Sequence, residues 1–162
     1  MKEATFIIPG KPATAGSKRG IPFKKRGGGL GVRMLHDNAR FASWRQEAAW
    51  CAKQTGIWFD GPVTLSVIWV RPRPKSHYRT GKHAANLRLD VPLAPGTKPD
   101  LCKVVRALED SLTGTLWRDD SQVVQHQTAK IYSWHGAEEC LRVRVRDWCI
   151  NDLSSIDMGD EL

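Results

Sequence analysis

Apolar and polar positions along this chain follow two rhythms, and the changes between them mark out its elements. Thr5 to Ile8 is a short β-branched and aromatic run closed by Pro9-Gly10, which predicts a first strand. Phe41, Trp44, Ala48 and Cys51 recur at helical spacing; Asp37 or Asn38 stands where a cap belongs, and Gly56 follows the end. The run PVTLSVIWV, Pro62 to Val70, is the strongest strand. Val63, Leu65, Val67 and Trp69 share one face while Ile68 and Val70 extend burial to the other, so it belongs at the centre of a sheet. Leu101, Val104, Val105, Leu108 and Leu112 form the stripe of a second helix, opened by Pro99-Asp100 and stopped at Thr113-Gly114. Two more strands are predicted, Val123 to Tyr132 and Leu141 to Trp148. In the latter, Leu141, Val143 and Val145 alternate with Arg142, Arg144 and Arg146, the pattern of a half-buried strand with a basic outer face.

Two stretches carry no period. The chain from Gly10 to about Arg33 is rich in Gly, Pro, Lys and Arg and is expected to be a long, mobile basic loop. Arg71 to Lys98 contains Pro72, Pro74, Pro92 and Pro95 and is expected to be a second one. The order β-α-β-α-β-β then predicts an α+β fold: a single mixed sheet with two helices packed on it. With 162 residues the chain has the size of one domain. Residues 1–150 are expected to form it. The acidic remainder, 151–162, with Asp152, Asp157, Asp160 and Glu161, is expected to be a frayed tail.

Composition alters this picture only through charge. A hydrophobic fraction of 41% and a charged fraction of 26% are ordinary for a globular protein and argue against global disorder. The net charge of +8 and a pI near 9.6 point to a polyanionic partner. From Lys11 to Arg33 there are seven cations (Lys11, Lys18, Arg19, Lys24, Lys25, Arg26 and Arg33) and no acid. From Arg71 to Arg88 stand Arg71, Arg73, Lys75, Arg79, Lys82 and Arg88 with His77 and His83, again without an acid. Either stretch alone reads as a solvated basic loop. Two in so short a chain shift the balance toward phosphate binding. The expected nucleic-acid contacts are Lys18, Arg19, Lys24, Lys25, Arg26, Arg73, Lys75, Arg79 and Lys103.

Cys51, Cys102, Cys140 and Cys149 form no CxxC pair or zinc spacing and are expected to be reduced thiols. MKEATFIIPGKP lacks the apolar run of a signal peptide, and no segment has the length of a membrane span, so a cytoplasmic protein is expected. Seven tryptophans suggest base stacking, but Trp44 and Trp69 fall at core positions and most of the others fit packing or dimer contacts. A sequence-reading transcription factor is disfavoured, because no helix-turn-helix pattern appears and the cations concentrate in loops.

The chemistry concentrates in KPDLCKVVRALEDSLTGTLWRDDSQVV, which sets an acid at a helix start, cations along that helix and an Asp-Asp pair before the next strand. Phosphodiester hydrolysis calls for a hard divalent cation, and magnesium takes one or two carboxylates plus water and phosphate. Asp100 and Asp120 are candidates. Spacing alone also admits plain structural roles: Asp100 as an N-cap worth about 1 kcal/mol, and Asp119 and Asp120 as turn residues.

That run is similar to the signature of the RusA family of Holliday junction resolvases, in which K-P-D-x-D-[NK]-x-x-[KR] opens a helix and W-x-D-D-[SA]-Q-V opens the following strand. FIIPGKP and GPVTLSV resemble the family's first and second strands, and PRPKSHYRTGK resembles versions carried by phages of actinobacteria. The resemblance implies a homodimer that binds a four-way DNA junction and nicks two strands symmetrically with Mg2+, Mn2+ being a substitute. It makes Asp100 and Asp120 metal ligands and puts Arg106 in the slot of a basic residue required for activity, where it would meet the scissile phosphate. Asp110 matches a frequently acidic position, with an i,i+4 pairing to Arg106 as its other reading. The departure is Cys102, which stands where the family's second metal aspartate belongs. Sulfur is a poor magnesium ligand, so the site loses an oxygen donor and a charge. Glu109 shares that helical face but lies about 10 Å along the axis from Cys102, too far to replace it. Three accounts remain open for Cys102: an inactivating substitution that spares DNA binding, weaker manganese-favoured activity, or a redox or softer-metal role. The first leaves a non-catalytic module that recognises branched DNA as the alternative to a nuclease.

Overall fold

The computed structural model describes residues 1–14, 18–36, 38–133 and 137–150. Eight elements carry the fold: β1 (Glu3–Pro9), β2 (Lys18–Lys24), β3 (Leu30–His36), α1 (Arg40–Lys53), β4 (Val63–Arg71), α2 (Leu101–Leu112), β5 (Val123–Tyr132) and β6 (Cys140–Asp147). The fold class is the expected one, α+β with a mixed sheet and two helices.

The main sheet has the order β1-β6-β4-β5. β6 runs antiparallel to both β1 and β4, whereas β5 runs parallel to β4, so α2 is the crossover that returns the chain to the start of the sheet. The strand expected to be central, β4, is central. Its alternation places Leu65, Val67 and Trp69 beside Val145, Val143 and Leu141 of β6, and these cross over to Ala4, Phe6 and Ile8 of β1. Both helices cover this one face. Phe41, Trp44, Ala48 and Ala52 come down from α1, and Val104, Val105, Leu108 and Leu112 from α2. The opposite face is largely open: Ile7, Arg142 and Arg144 are exposed there, as the alternation in β6 foretold, and so is Ile68, against the burial expected of it, whereas Thr64 and Val70 of β4 are buried.

Leu108 is wholly buried between α2 and the sheet. Replacing it with alanine is expected to lower the unfolding free energy by about 3 kcal/mol, through lost apolar burial and the cavity left behind. Urea denaturation with an unchanged m-value would register it; a loss under about 1 kcal/mol would mean that the core is not packed this way.

Three sequence expectations are corrected. The first basic stretch is not one long loop, because Lys18–Lys24 and Leu30–His36 pair antiparallel as a separate two-stranded sheet. The strand order therefore gains two members before α1. The cap of α1 is Ala39, and Asn38 acts one residue earlier by accepting a hydrogen bond from the Arg40 N–H at 3.1 Å; Asp37 and the acidic tail lie outside the described residues. Third, W-x-D-D-S-Q-V does not open directly into a strand: Asp120–Gln122 forms one 3-10 turn first. Beyond Arg71, the last residue of β4, the second basic stretch has neither strand nor α-helix. It holds short 3-10 turns at Lys75–His77 and Gly81–His83 and a bridge from Tyr78 to Leu87. Among the described residues no helix is long and apolar enough to cross a membrane.

Candidate functional site

The segment entering α2 is held from the sheet side by cations. Lys130, on the edge strand β5, donates from Nζ to the carbonyls of Thr97 at 2.8 Å and Pro99 at 3.3 Å. Arg71 donates to Thr97 Oγ1 at 2.9 Å. Both cations lie over the Trp69 ring, Arg71 at 5.0 Å and Lys130 at 5.4 Å from its centroid. Glu139 closes the set, accepting from Trp69 Nε1 at 3.1 Å and pairing with Arg71 at 3.7 Å. A proline-rich segment is thus fixed just before Asp100.

Asp100 occupies the N-cap position of α2, yet its side chain makes no capping hydrogen bond. Its carboxylate pairs with Lys103 at 3.1 Å, both groups well exposed. An exposed i,i+3 pair contributes little in water and yields readily to a ligand. Beside it lies a cavity of about 310 Å³ lined by Thr14, Lys98, Pro99, Asp100 and Lys103. Two exposed lysines beside it suit an anion such as a phosphate. Cys102 is exposed at the second helical position, and Arg106 is exposed one turn further on. Among the described residues no ion pair joins Arg106 to Asp110, which leaves the guanidinium open to a phosphate. Glu109 is engaged by His126 of β5, with Nε2 and Oε1 2.8 Å apart.

The Asp-Asp pair divides its labour. Asp119 accepts a hydrogen bond from the Ser121 N–H at 2.9 Å and forms a capping box with Gln122. Those contacts with Ser121 hold the Asp119 carboxyl below the usual carboxylate range. The cap is therefore intact at neutral pH and lost as pH falls through that lowered range. Gln122 accepts from the N–H groups of Arg118 and Asp119 and donates to the carbonyls of Phe59 at 3.1 Å and Gly61 at 3.0 Å. Asp120, one residue on, is left exposed. Neither Gln122 nor Lys130 stood out in the sequence. The Asp-x-x-Gln spacing of a capping box could have revealed the first; nothing marked Lys130.

The two aspartates do not meet within one chain. Asp100 lies at the start of α2, and Asp120 follows its end, with about 17 Å of helix between them. Lys130, which touches Pro99, stands seven residues beyond Val123, about 23 Å along β5 from the Asp120 end. Among the described residues no group of three or more His, Cys, Asp or Glu side chains could hold a metal ion. One carboxylate beside a thiol is not a magnesium site, so the donors of a single chain do not fit that ion.

The expected DNA contacts are spread over three places. Lys24, Lys25 and Arg26 lie exposed where β2 turns into β3, and Lys75 and Arg79 lie exposed in the second basic stretch. Lys103 borders the Asp100 cavity. Arg73 is instead turned inward, its guanidinium 4.4 Å from the Tyr132 ring centroid and donating to the carbonyls of Pro92 and Leu93. The side chains of Lys18 and Arg19 lie outside the described residues. Trp44 and Trp69 are buried, as their pattern predicts.

Comparison with known proteins bears on the same residues. The family model described as Endodeoxyribonuclease RusA matches residues 9–146. "Uncharacterized protein YqaN" of Bacillus subtilis (strain 168) is 33% identical over 130 residues, covering 79% of this chain and 87% of that protein. The matched span runs from the end of β1 to within β6 and takes in both aspartates and both basic stretches. The chain belongs to the RusA endodeoxyribonuclease family.

Proposed function

We propose that this protein resolves four-way DNA junctions as a homodimer in the cytoplasm, nicking two strands symmetrically with magnesium, or manganese in its place. The cavity at Asp100 carries the reading: in a family of DNA endonucleases, Lys98 and Lys103 offer a phosphate two cations beside the first of the carboxylates that a hard cation would need. Bound magnesium would polarise a phosphate ester and activate water. Asp100 and Asp120 would hold it, and their separation in one chain argues that a second copy brings its Asp120 to the first copy's Asp100. A two-fold dimer then carries two such sites, which suits paired nicks. Lys98 and Lys103 hold the DNA phosphate at the cavity. Arg106 stabilises charge on it, and Lys130 keeps the Asp100 segment in place.

A gel-shift comparison of a synthetic junction with a linear duplex of equal length tests the substrate. The junction is expected to bind more tightly, and its affinity to fall about a thousandfold between roughly 50 and 200 mM salt as counterions are released. Equal affinity for both DNAs would remove the junction from the reading, and a flat salt response would remove the basic stretches. A second reading rests on Cys102: a module that binds branched DNA without cutting it. Cleavage assays in magnesium and manganese separate the two.

A further inference from the structure

The β2–β3 ribbon has no task in that reading beyond its charge. Every residue from Gly20 to Arg33 is exposed except the half-buried Gly31, and none belongs to the core cluster. A two-stranded ribbon on its own is marginal in water. This one nevertheless carries apolar side chains on both faces. The register sets Ile21 opposite Arg33, Phe23 opposite Gly31, Pro22 opposite Val32 and Lys24 opposite Leu30. Alternation puts Ile21 and Phe23 on one face, 42% and 48% exposed, and Val32 and Leu30 on the other, 67% and 75% exposed. The Phe23 ring lies across Gly31, where a Cβ would fall 2.8 Å from its Cε1 and Cζ. At the tip, Lys24, Lys25 and Arg26 lead into three glycines. Gly28 donates to the Lys25 carbonyl and Lys25 to the Gly29 carbonyl, both at 3.1 Å, with Gly28 and Gly29 at φ of 84° and 88°.

Apolar surface of this kind asks for a partner, and the cations indicate which. A second copy of a chain with net charge +8 would have to accept Lys24, Lys25 and Arg26 against its own positive charge. Duplex DNA meets both demands, with phosphates outside and stacked bases within. Its major groove admits a two-stranded ribbon, and apolar wedges that unstack base steps are a known way to bend it. Resting on the DNA reading above, we propose that the ribbon is an arm that enters a groove of the duplex beside the branch. The tip cations straddle the flanking phosphates, and Phe23 wedges against an unstacked base step.

The test titrates the full-length protein against a junction carrying 2-aminopurine beside the crossover, whose fluorescence rises when its neighbours unstack. The unsubstituted protein is expected to bind and raise the signal. Phe23→Ala should bind within about threefold of it but lose most of the rise, as removal of a wedge rather than of a phosphate contact. K24A/K25A/R26A should lose at least about tenfold in affinity, with a salt slope shallower by nearly one per phosphate contact removed. Melting temperatures of both variants should match the parent's, since the ribbon adds nothing to the core. A full fluorescence rise with Phe23→Ala, or unchanged binding by the triple variant, overturns the arm and leaves the DNA reading standing. Conversion of a dimer to a monomer by either variant also overturns it, by making the ribbon a subunit contact. If the unsubstituted protein binds no junction, both readings fall.

Discussion

Junction cleavage in magnesium is expected to rise by about a hundredfold or more when Cys102 is replaced by aspartate, given that even groups outside the inner ligand sphere are worth 10- to 100-fold. Position 102 is exposed at the start of α2, two residues from Asp100, so the new carboxylate meets no steric obstacle and desolvates nothing. The substitution exchanges a sulfur for the hard oxygen donor that magnesium prefers and adds a negative charge beside Lys98 and Lys103. Manganese accepts softer and less complete donor sets, so the gap between the two proteins should narrow in it. Binding of the junction without metal should change little. Equal and robust cleavage by both proteins in magnesium would mean that Cys102 imposes no handicap.

Mixing chains addresses the shared site. In the Cys102→Asp background, Asp100→Asn and Asp120→Asn should each abolish cleavage as homodimers. After subunit exchange at equal amounts, about half the dimers are mixed, and each mixed dimer pairs one intact Asp100 with one intact Asp120. About a quarter of all sites regain both carboxylates, so single nicks should reappear while paired nicks stay rare. If both aspartates instead served one site within a chain, mixing would restore nothing. The roughly 20 Å that α2 and β5 place between them makes recovery the expected result.

Much of the fold was legible because burial imposes a period. The stripe Leu101 to Leu112 could only be a helix lying on an apolar surface, and PVTLSVIWV could only be a strand covered on at least one face. The ribbon escaped for the opposite reason. It buries no face, its alternation is interrupted by Gly20, Pro22 and Gly31, and nothing in its composition separates a paired strand from a basic loop. The motif likewise named residues without showing their spacing. Asp100 and Asp120 are close in the chain, but the parallel pairing of β5 with β4 sends the second aspartate to the far end of the crossover. The inward turn of Arg73 was hidden as well, because it depends on Tyr132 and on carbonyls some twenty positions away.

The two aspartates also stand on different mounts. Asp100 is braced through Lys130, Trp69 and Arg71 to one end of β4, while Asp120 is braced through Gln122 to the carbonyls of Phe59 and Gly61, just ahead of the other end. The rigid body between them is the most deeply buried strand of the sheet, not α2. In the proposed reading, DNA bound at either carboxylate would load that strand through its own brace, as well as α2 through Asp100. The spacing of the two carboxylates within a chain would then be set by the length of β4, not by the DNA that they meet.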